Sequence, residues 1–246
     1  MNYNIYADTN ELADSFVKLF KKRCDELFKN KENIFIALSG GTTPNLYLGK
    51  LADPQFSGDI NWGRIHFFFV DERMVDPLDP GSNYRSIKEL FFDKIPIPEE
   101  NIHRIKGEIV PQLEVRRYGN EIVNNVGKNQ DSLPEFDWIL LGMGSDGHTA
   151  SIFPNVELKE EYQKIAAISK KPETGQIRVT ITEDIINNAD FVTFIITGQD
   201  KANTVFEVLS GNMENYPAGR IHPSKGILEF LLDKEAASIL IKKENQ

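Results

Sequence analysis

The stretch WILLGMGSDGHTASIFP, residues 138 to 154, runs apolar to Leu141, breaks at Gly142 and Gly144, and then sets Asp146 and His148 on either side of Gly147. A carboxylate beside an imidazole is the pair needed to orient and activate a water, because an imidazole changes charge near pH ~6.5 and can accept a proton at neutral pH. The glycines admit close backbone approach and unusual dihedrals around the pair. His66, His103 and His222 have no such company and are read as structural.

Three other segments carry side chains with chemistry. SGGTTP, residues 39 to 44, brings Ser39, Gly40, Gly41 and Thr42 to a helix start, where backbone N–H groups and the helix dipole can face an anion. It has neither a Walker ending nor GxGxxG spacing, so a phosphate cradle and a plain turn capped by Thr42 or Thr43 both fit it. VDER, residues 70 to 73, places Asp71, Glu72 and Arg73 at the exit of an apolar strand, where unpaired charge is costly. Arg73 is either a planar fork for a phosphate or carboxylate, or part of a surface ion-pair cluster. Downstream, GSNYRS adds Asn83 and Arg85 near another helix start. GQDK, residues 198 to 201, sets Lys201 in a first helical turn, as a pocket cation or an ordinary exposed lysine.

Each segment follows a short apolar run: IFIAL (34 to 38), IHFFFV (65 to 70), WILLGMG (138 to 144) and FVTFIIT (191 to 197). KIAAIS and ASILI read as further strands. A first helix is expected over 8 to 29, from the Asp8 to Glu11 capping spacing and the recurrence of Leu12, Phe16, Phe20, Leu27 and Phe28. Others are expected after SGGTTP with Pro44 near the first turn, within DERMVDPLDPGSNYRSIKELFF, near 111 to 127, over SDGHTASIF, and after GQDK. Strands alternating with helices predict an α/β, Rossmann-like fold: a mostly parallel sheet covered by helices on both faces, in a single domain over 1 to 246. Ligands of such sheets bind outside the carboxyl ends of the strands, where the four polar segments converge.

The bulk numbers narrow the classes. With 246 residues, 40% hydrophobic and 26% charged, the chain has globular composition and material for a sizeable core. No stretch approaches the roughly 20 apolar residues of a membrane span, and MNYNIYADTNELADS lacks the pattern of a signal peptide, so a cytoplasmic location is expected. Cys24 is the one cysteine, which excludes an internal disulfide and a zinc site built on several thiolates. A net charge of −9 argues against nucleic acid as a partner and requires a local cationic pocket for any anionic substrate.

Taken together, ALSGGTTP, FVDER, SNYR, LLGMGSDGHTASIFP, IRVTIT, GQDK and YPAGRIHPSKGILEFLLDKEAA resemble the glucosamine-6-phosphate isomerase/6-phosphogluconolactonase family, on its compact lactonase side, over essentially the whole chain. GMGxDGHTASxFP is the most specific of these motifs. The resemblance implies hydrolysis of 6-phosphogluconolactone to 6-phosphogluconate in the oxidative pentose phosphate pathway. His148 would be the general base toward water, and Asp146 would orient His148 or help hold the water. Arg73 and Lys201 would bind the phosphate with the loop from Ser39 to Thr42, and Asp71 would line the pocket. Arg178 of IRVTIT would support either the phosphate or the architecture. The partner implied is a phosphorylated sugar lactone, with no metal or organic cofactor; the oligomeric state is not legible.

Two departures stand out. Asn155 occupies a place where the lactonases often carry glycine, and KKPETGQIRVTIT lacks their multiple prolines before the arginine. The sister isomerase and deaminase carries DGHIAFNEP, with an acid just past the histidine, whereas DGHTASIFP has none before Glu157. A serine hydrolase is a weaker rival, since Ala37 and Met143 stand where G-x-S-x-G needs glycine. A sugar-phosphate-sensing module would have no need of Asp146 and His148.

Overall fold

A computed structural model describes residues 2–127, 133–211 and 216–244. Among these residues eleven strands form two sheets: β1 Asn2–Tyr6, β2 Ile34–Leu38, β3 Ile65–Phe69, β4 Asp71–Arg73, β5 Ile102–His103, β6 Trp138–Leu141, β7 Lys159–Tyr162, β8 Ala166–Lys170, β9 Ile177–Ile181, β10 Phe191–Ile196 and β11 Ile227–Asp233. The larger sheet is parallel, in the order β1-β11-β10-β6-β2-β3-β5, and the smaller is antiparallel, in the order β4-β9-β8-β7. The helices are α1 Thr9–Leu27, α2 Thr42–Leu51, α3 Pro54–Ser57, α4 Asn83–Leu90, α5 Pro111–Val126, α6 Glu183–Ile186, α7 Ala202–Leu209 and α8 Ser238–Glu244. None of the described helices is long and apolar enough to cross a membrane.

The central strands β2, β3, β6 and β10 are apolar along nearly their whole length because both faces are covered, the pattern of a doubly wound sheet. Helix α1 begins where Asp8 accepts hydrogen bonds from the N–H groups of Asn10 and Glu11. The reciprocal bond of Glu11 goes to the N–H of Ala7, one residue before the cap. Its buried face, with Leu12, Phe16, Phe20 and Cys24, reaches an aromatic cluster that includes Tyr47, Trp62 and Trp138. Burial pushes the Cys24 thiol well up, so it is inert filler. One continuous core runs from the parallel sheet into the antiparallel one, through Ile165, Ala166, Val179 and Ile181.

Several elements differ from the sequence expectation. SDGHTASIF forms no helix: it turns through a bridge between Thr149 and Ile152, with Ala150 left-handed at φ +50. VDER does not end in a loop but continues as β4 of the second sheet. KIAAIS contributes the expected strand, β8, which lies in the antiparallel sheet. ASILI opens α8, while the C-terminal strand is the unexpected β11, flanked by the equally unexpected β1. An apolar run of five residues is compatible with either element, and Glu229 disguises β11. That glutamate is met inside the fold by Arg23 Nη1 at 2.6 Å and the Thr193 hydroxyl at 2.7 Å.

Candidate active site

The carboxyl ends of β2, β6 and β10 and the β3–β4 junction open onto one cavity of about 310 Å³. Behind β2 the chain turns through Gly41, at φ +119, which is the N-cap of α2 and provides no side-chain cap. The α2 N-terminus is therefore not closed by Thr42 or Thr43, and its first amides are available to an anion at the cavity wall. Gly40 is required by crowding, since a Cβ there would lie 2.0 Å from Asn83 Oδ1. Ser39 anchors the turn through its hydroxyl and N–H, both donated to the Leu140 carbonyl on β6, at 2.9 and 3.2 Å. Thr43 and Thr197 tie this turn to the end of β10, hydroxyl to hydroxyl at 2.8 Å.

The three charges of DER have separate fates. Glu72 is buried and accepts from the N–H groups of Arg73, Asn83 and Tyr84, each at 2.8 Å, and from the Ser82 hydroxyl at 3.0 Å. It seats the start of α4 and does not line the cavity. Burial pushes its carboxyl above the usual range, against the pull of those backbone donors. Asp71 and Arg73 do line the cavity. Asp71 Oδ2 accepts from the Ser151 hydroxyl and lies 3.4 Å from Arg178 Nη1, which also donates to Ser151 Oγ at 3.2 Å. Arg178 stands opposite Arg73 in the β4–β9 register, lines the cavity, and rests over Phe153 at 5.6 Å. Burial lowers the Arg178 pKa; the charge of Asp71 opposes that and the charge of Arg73 reinforces it. Arg73 donates to the Gly81 carbonyl, whereas Arg85 pairs with Glu89 and is no part of the wall.

After β6, the turn is fixed by Gly144 N–H donating to His148 O at 2.9 Å and Gly147 N–H donating to Gly144 O at 3.0 Å. Gly147 takes φ +80, and a Cβ on Gly144 would come within 2.2 Å of His148 Nδ1. That close fit puts Asp146 Oδ1 2.6 Å from His148 Nδ1 and 3.1 Å from the His148 N–H. Burial pushes Asp146 up, but its hydrogen bonds with His148 and the imidazolium charge outweigh this and hold it below the usual carboxylate range. With Nδ1–H given to Asp146, Nε2 is the basic nitrogen, and it has no partner among the described residues. The imidazole packs on Phe153, ring centroids 4.9 Å apart.

Nine of the residues singled out from sequence line this cavity: Ser39, Gly40, Gly41, Thr42, Asp71, Arg73, His148, Arg178 and Lys201. Asp146 lies behind His148 instead of in the wall. Lys201 donates to Asp200 at 2.6 Å. Asn83 and Lys171 line the cavity as well, and Ser151 stands behind its wall on Asp71 and Arg178; Asn83 was visible only as a helix-start residue, Ser151 only as a member of the GMGxDGHTASxFP motif, and Lys171 carried no sequence signal. Four cations face one carboxylate in the wall, which supplies the local positive field that a chain of net charge −9 otherwise lacks. Asn155, the departure from the glycine pattern, sits at φ +56, a left-handed position that asparagine tolerates far better than most residues.

A parallel α/β sheet with a helix N-terminus, four cations and a histidine–aspartate pair around one strand-end cavity is an arrangement suited to a small anionic ligand. Residues 7–230 match the family described as glucosamine-6-phosphate isomerases/6-phosphogluconolactonase, and the chain belongs to that family. It is 44% identical over 207 residues to a 6-phosphogluconolactonase of Aggregatibacter actinomycetemcomitans, covering 83% of this chain and 87% of that one. It is 43% identical over 209 residues to the 6-phosphogluconolactonase of Haemophilus influenzae, covering 84% and 88%. The crystal structure of a devB protein superposes with a TM-score of 0.89 at 34% identity, covering 97% of this chain and 99% of that one.

Proposed function

We propose that the chain is a 6-phosphogluconolactonase in which His148 Nε2 takes a proton from the attacking water. The hydroxide adds to the lactone carbonyl carbon; the tetrahedral adduct then breaks its bond to the ring oxygen, which takes the proton from the imidazolium, giving 6-phosphogluconate. Asp146 fixes the tautomer and the ring plane. The α2 N-terminus, Arg73, Arg178 and Lys201 hold the phosphate, so that binding at a remote group positions the carbonyl. Asp71, tied to Ser151 and Arg178, lines the pocket and keeps that guanidinium in place. A lactone is an activated ester, so a base contributing ~10²–10⁴-fold and good positioning suffice. Residues 1–246 act as one sugar-phosphate hydrolase domain, since both sheets build the same cavity.

The observation that carries this reading is the unpartnered Nε2 of a carboxylate-held histidine inside a cationic cavity. The close relatives named as lactonases support it. The sister deamination fits less well, because Phe153 fills the place of that family's acid and Glu157 lines a different cavity. A serine nucleophile fits poorly too, as the Ser39 hydroxyl is committed to Leu140 O. The test generates 6-phosphogluconolactone in situ and follows 6-phosphogluconate through a coupled dehydrogenase. Turnover above spontaneous hydrolysis is expected; none, with ammonia released from glucosamine 6-phosphate, would replace the reading with deamination.

A further inference from the structure

Lys171 has no assigned role in the reaction above, and its position is unusual. It is the residue after β8, where the hairpin to β9 is closed by Lys171 N–H donating to Gln176 O at 2.9 Å and Gly175 N–H donating to Lys171 O at 2.8 Å. Ser169 pairs with Arg178 and Arg178 with Arg73, so these three lie on one rung and one face of the antiparallel sheet. Side chains two apart share a face, which puts Lys171 on that same face, two rungs farther toward the hairpin tip. The cavity wall includes it.

Its ammonium also differs from the other cavity cations. Arg73 donates to Gly81 O, Arg178 to Ser151, Gln176 and Asp71, and Lys201 to Asp200. Lys171 Nζ has no hydrogen-bond partner among the described residues; the nearest carboxylate is Glu173, 3.9 Å away and 61% exposed. A flexible cation two-thirds buried at a cavity edge, on the face that carries two arginines and held only by a long ion pair with an exposed carboxylate, is suited to an incoming anion.

We propose that Lys171 is a specificity-determining residue that closes on the substrate phosphate from the hairpin side, discriminating phosphorylated from unphosphorylated lactones. It acts at the phosphate and not at the lactone carbonyl. The proposal rests on the lactonase reading for its substrate, and only on the cationic cavity for its anion.

The test compares wild type, Lys171→Gln and Lys171→Arg on 6-phosphogluconolactone and on glucono-δ-lactone, with calorimetric titration of 6-phosphogluconate into each. Removing one partly screened charged contact should raise KM for the phosphorylated lactone and weaken 6-phosphogluconate binding by roughly 3- to 30-fold. The kcat should change far less, the unphosphorylated lactone should show no comparable loss, and the arginine variant should recover most of the effect. An equal loss on both lactones would place Lys171 at the reacting centre and overturn the proposal. No change in either KM or binding would overturn it as well. If wild type turned over neither lactone, the reaction reading would fail, while the 6-phosphogluconate titration would still decide the role of Lys171.

Discussion

Two histidine–carboxylate pairs among the described residues have nearly the same geometry. His148 Nδ1 lies 2.6 Å from Asp146, and His103 Nδ1 lies 2.7 Å from Glu121. Their other nitrogens differ. His103 Nε2 is used by His66 Nδ1 at 3.0 Å, and its ring is stacked on Phe68 with centroids 4.2 Å apart. His148 Nε2 is left open in a cationic cavity. A carboxylate on Nδ1 is therefore common to both histidines, and the base role proposed for His148 rests on its open Nε2. At His103 the same pair ties α5 to the β3–β5 edge of the sheet, and Glu121 is shared with Arg117 at 3.1 Å.

The comparison can be broken most severely at His148. His148→Ala is expected to lower kcat by ~10²–10⁴-fold with 6-phosphogluconate affinity retained, as measured by the coupled assay and calorimetry. Asp146→Asn comes next: it keeps a hydrogen-bonding group but favours the wrong tautomer, and a kcat loss of roughly 10- to 100-fold is expected. A wild-type rate in that variant would remove Asp146 from the account.

His103→Ala should do the opposite, keeping kcat while costing about 1–3 kcal/mol in urea unfolding, through the hole beside Phe68 and the loss of its hydrogen bonds. Smaller still is the pH response. Burial, and then the charge of His103, lower the His66 pKa below its unfolded value of 6.5. The neutral ring is the form the fold favours, so its contribution is complete above that value and declines as pH falls through the folded pKa. Denaturant midpoints at pH 7.5 and 5.5 should differ more in wild type than in His66→Gln, by well under about 1 kcal/mol because the site is partly hydrated. On the acid side the same sign holds for Asp146 and Glu121. Both are held below their ordinary values, so the stability they contribute is lost only as pH falls through those depressed pKa values.

What could be read from the sequence follows the same division. Asp146 and His148 are adjacent in the chain, with glycines to mark a tight turn, so their pairing was legible. So were Ser39 to Thr42, Arg73 and Lys201, because each follows an apolar run at the end of a strand. His66 and His103 carry no motif in the sequence, and their direct contact, with Glu121 on the far side of His103, joins residues far apart in the chain. Lys171 was not legible, since it reaches the cavity through the antiparallel register of β4, β9 and β8, and the tie of Ser151 to Asp71 and Arg178 joins residues far apart in the chain. That register follows from the second sheet, which a pattern of alternating strands and helices does not announce. Glu72, one of three strand-exit charges whose pairing the sequence left open, is a buried cap for α4, because a carboxylate at a strand exit can be satisfied by amides as well as by ligands.

The most direct measurement sets His148→Ala beside His103→Ala in one coupled assay, with folding of each verified by circular dichroism and urea midpoint. The account expects His148→Ala to approach the spontaneous rate while keeping its stability, and His103→Ala to lose stability while keeping its rate. A folded His148→Ala enzyme with wild-type turnover would contradict it.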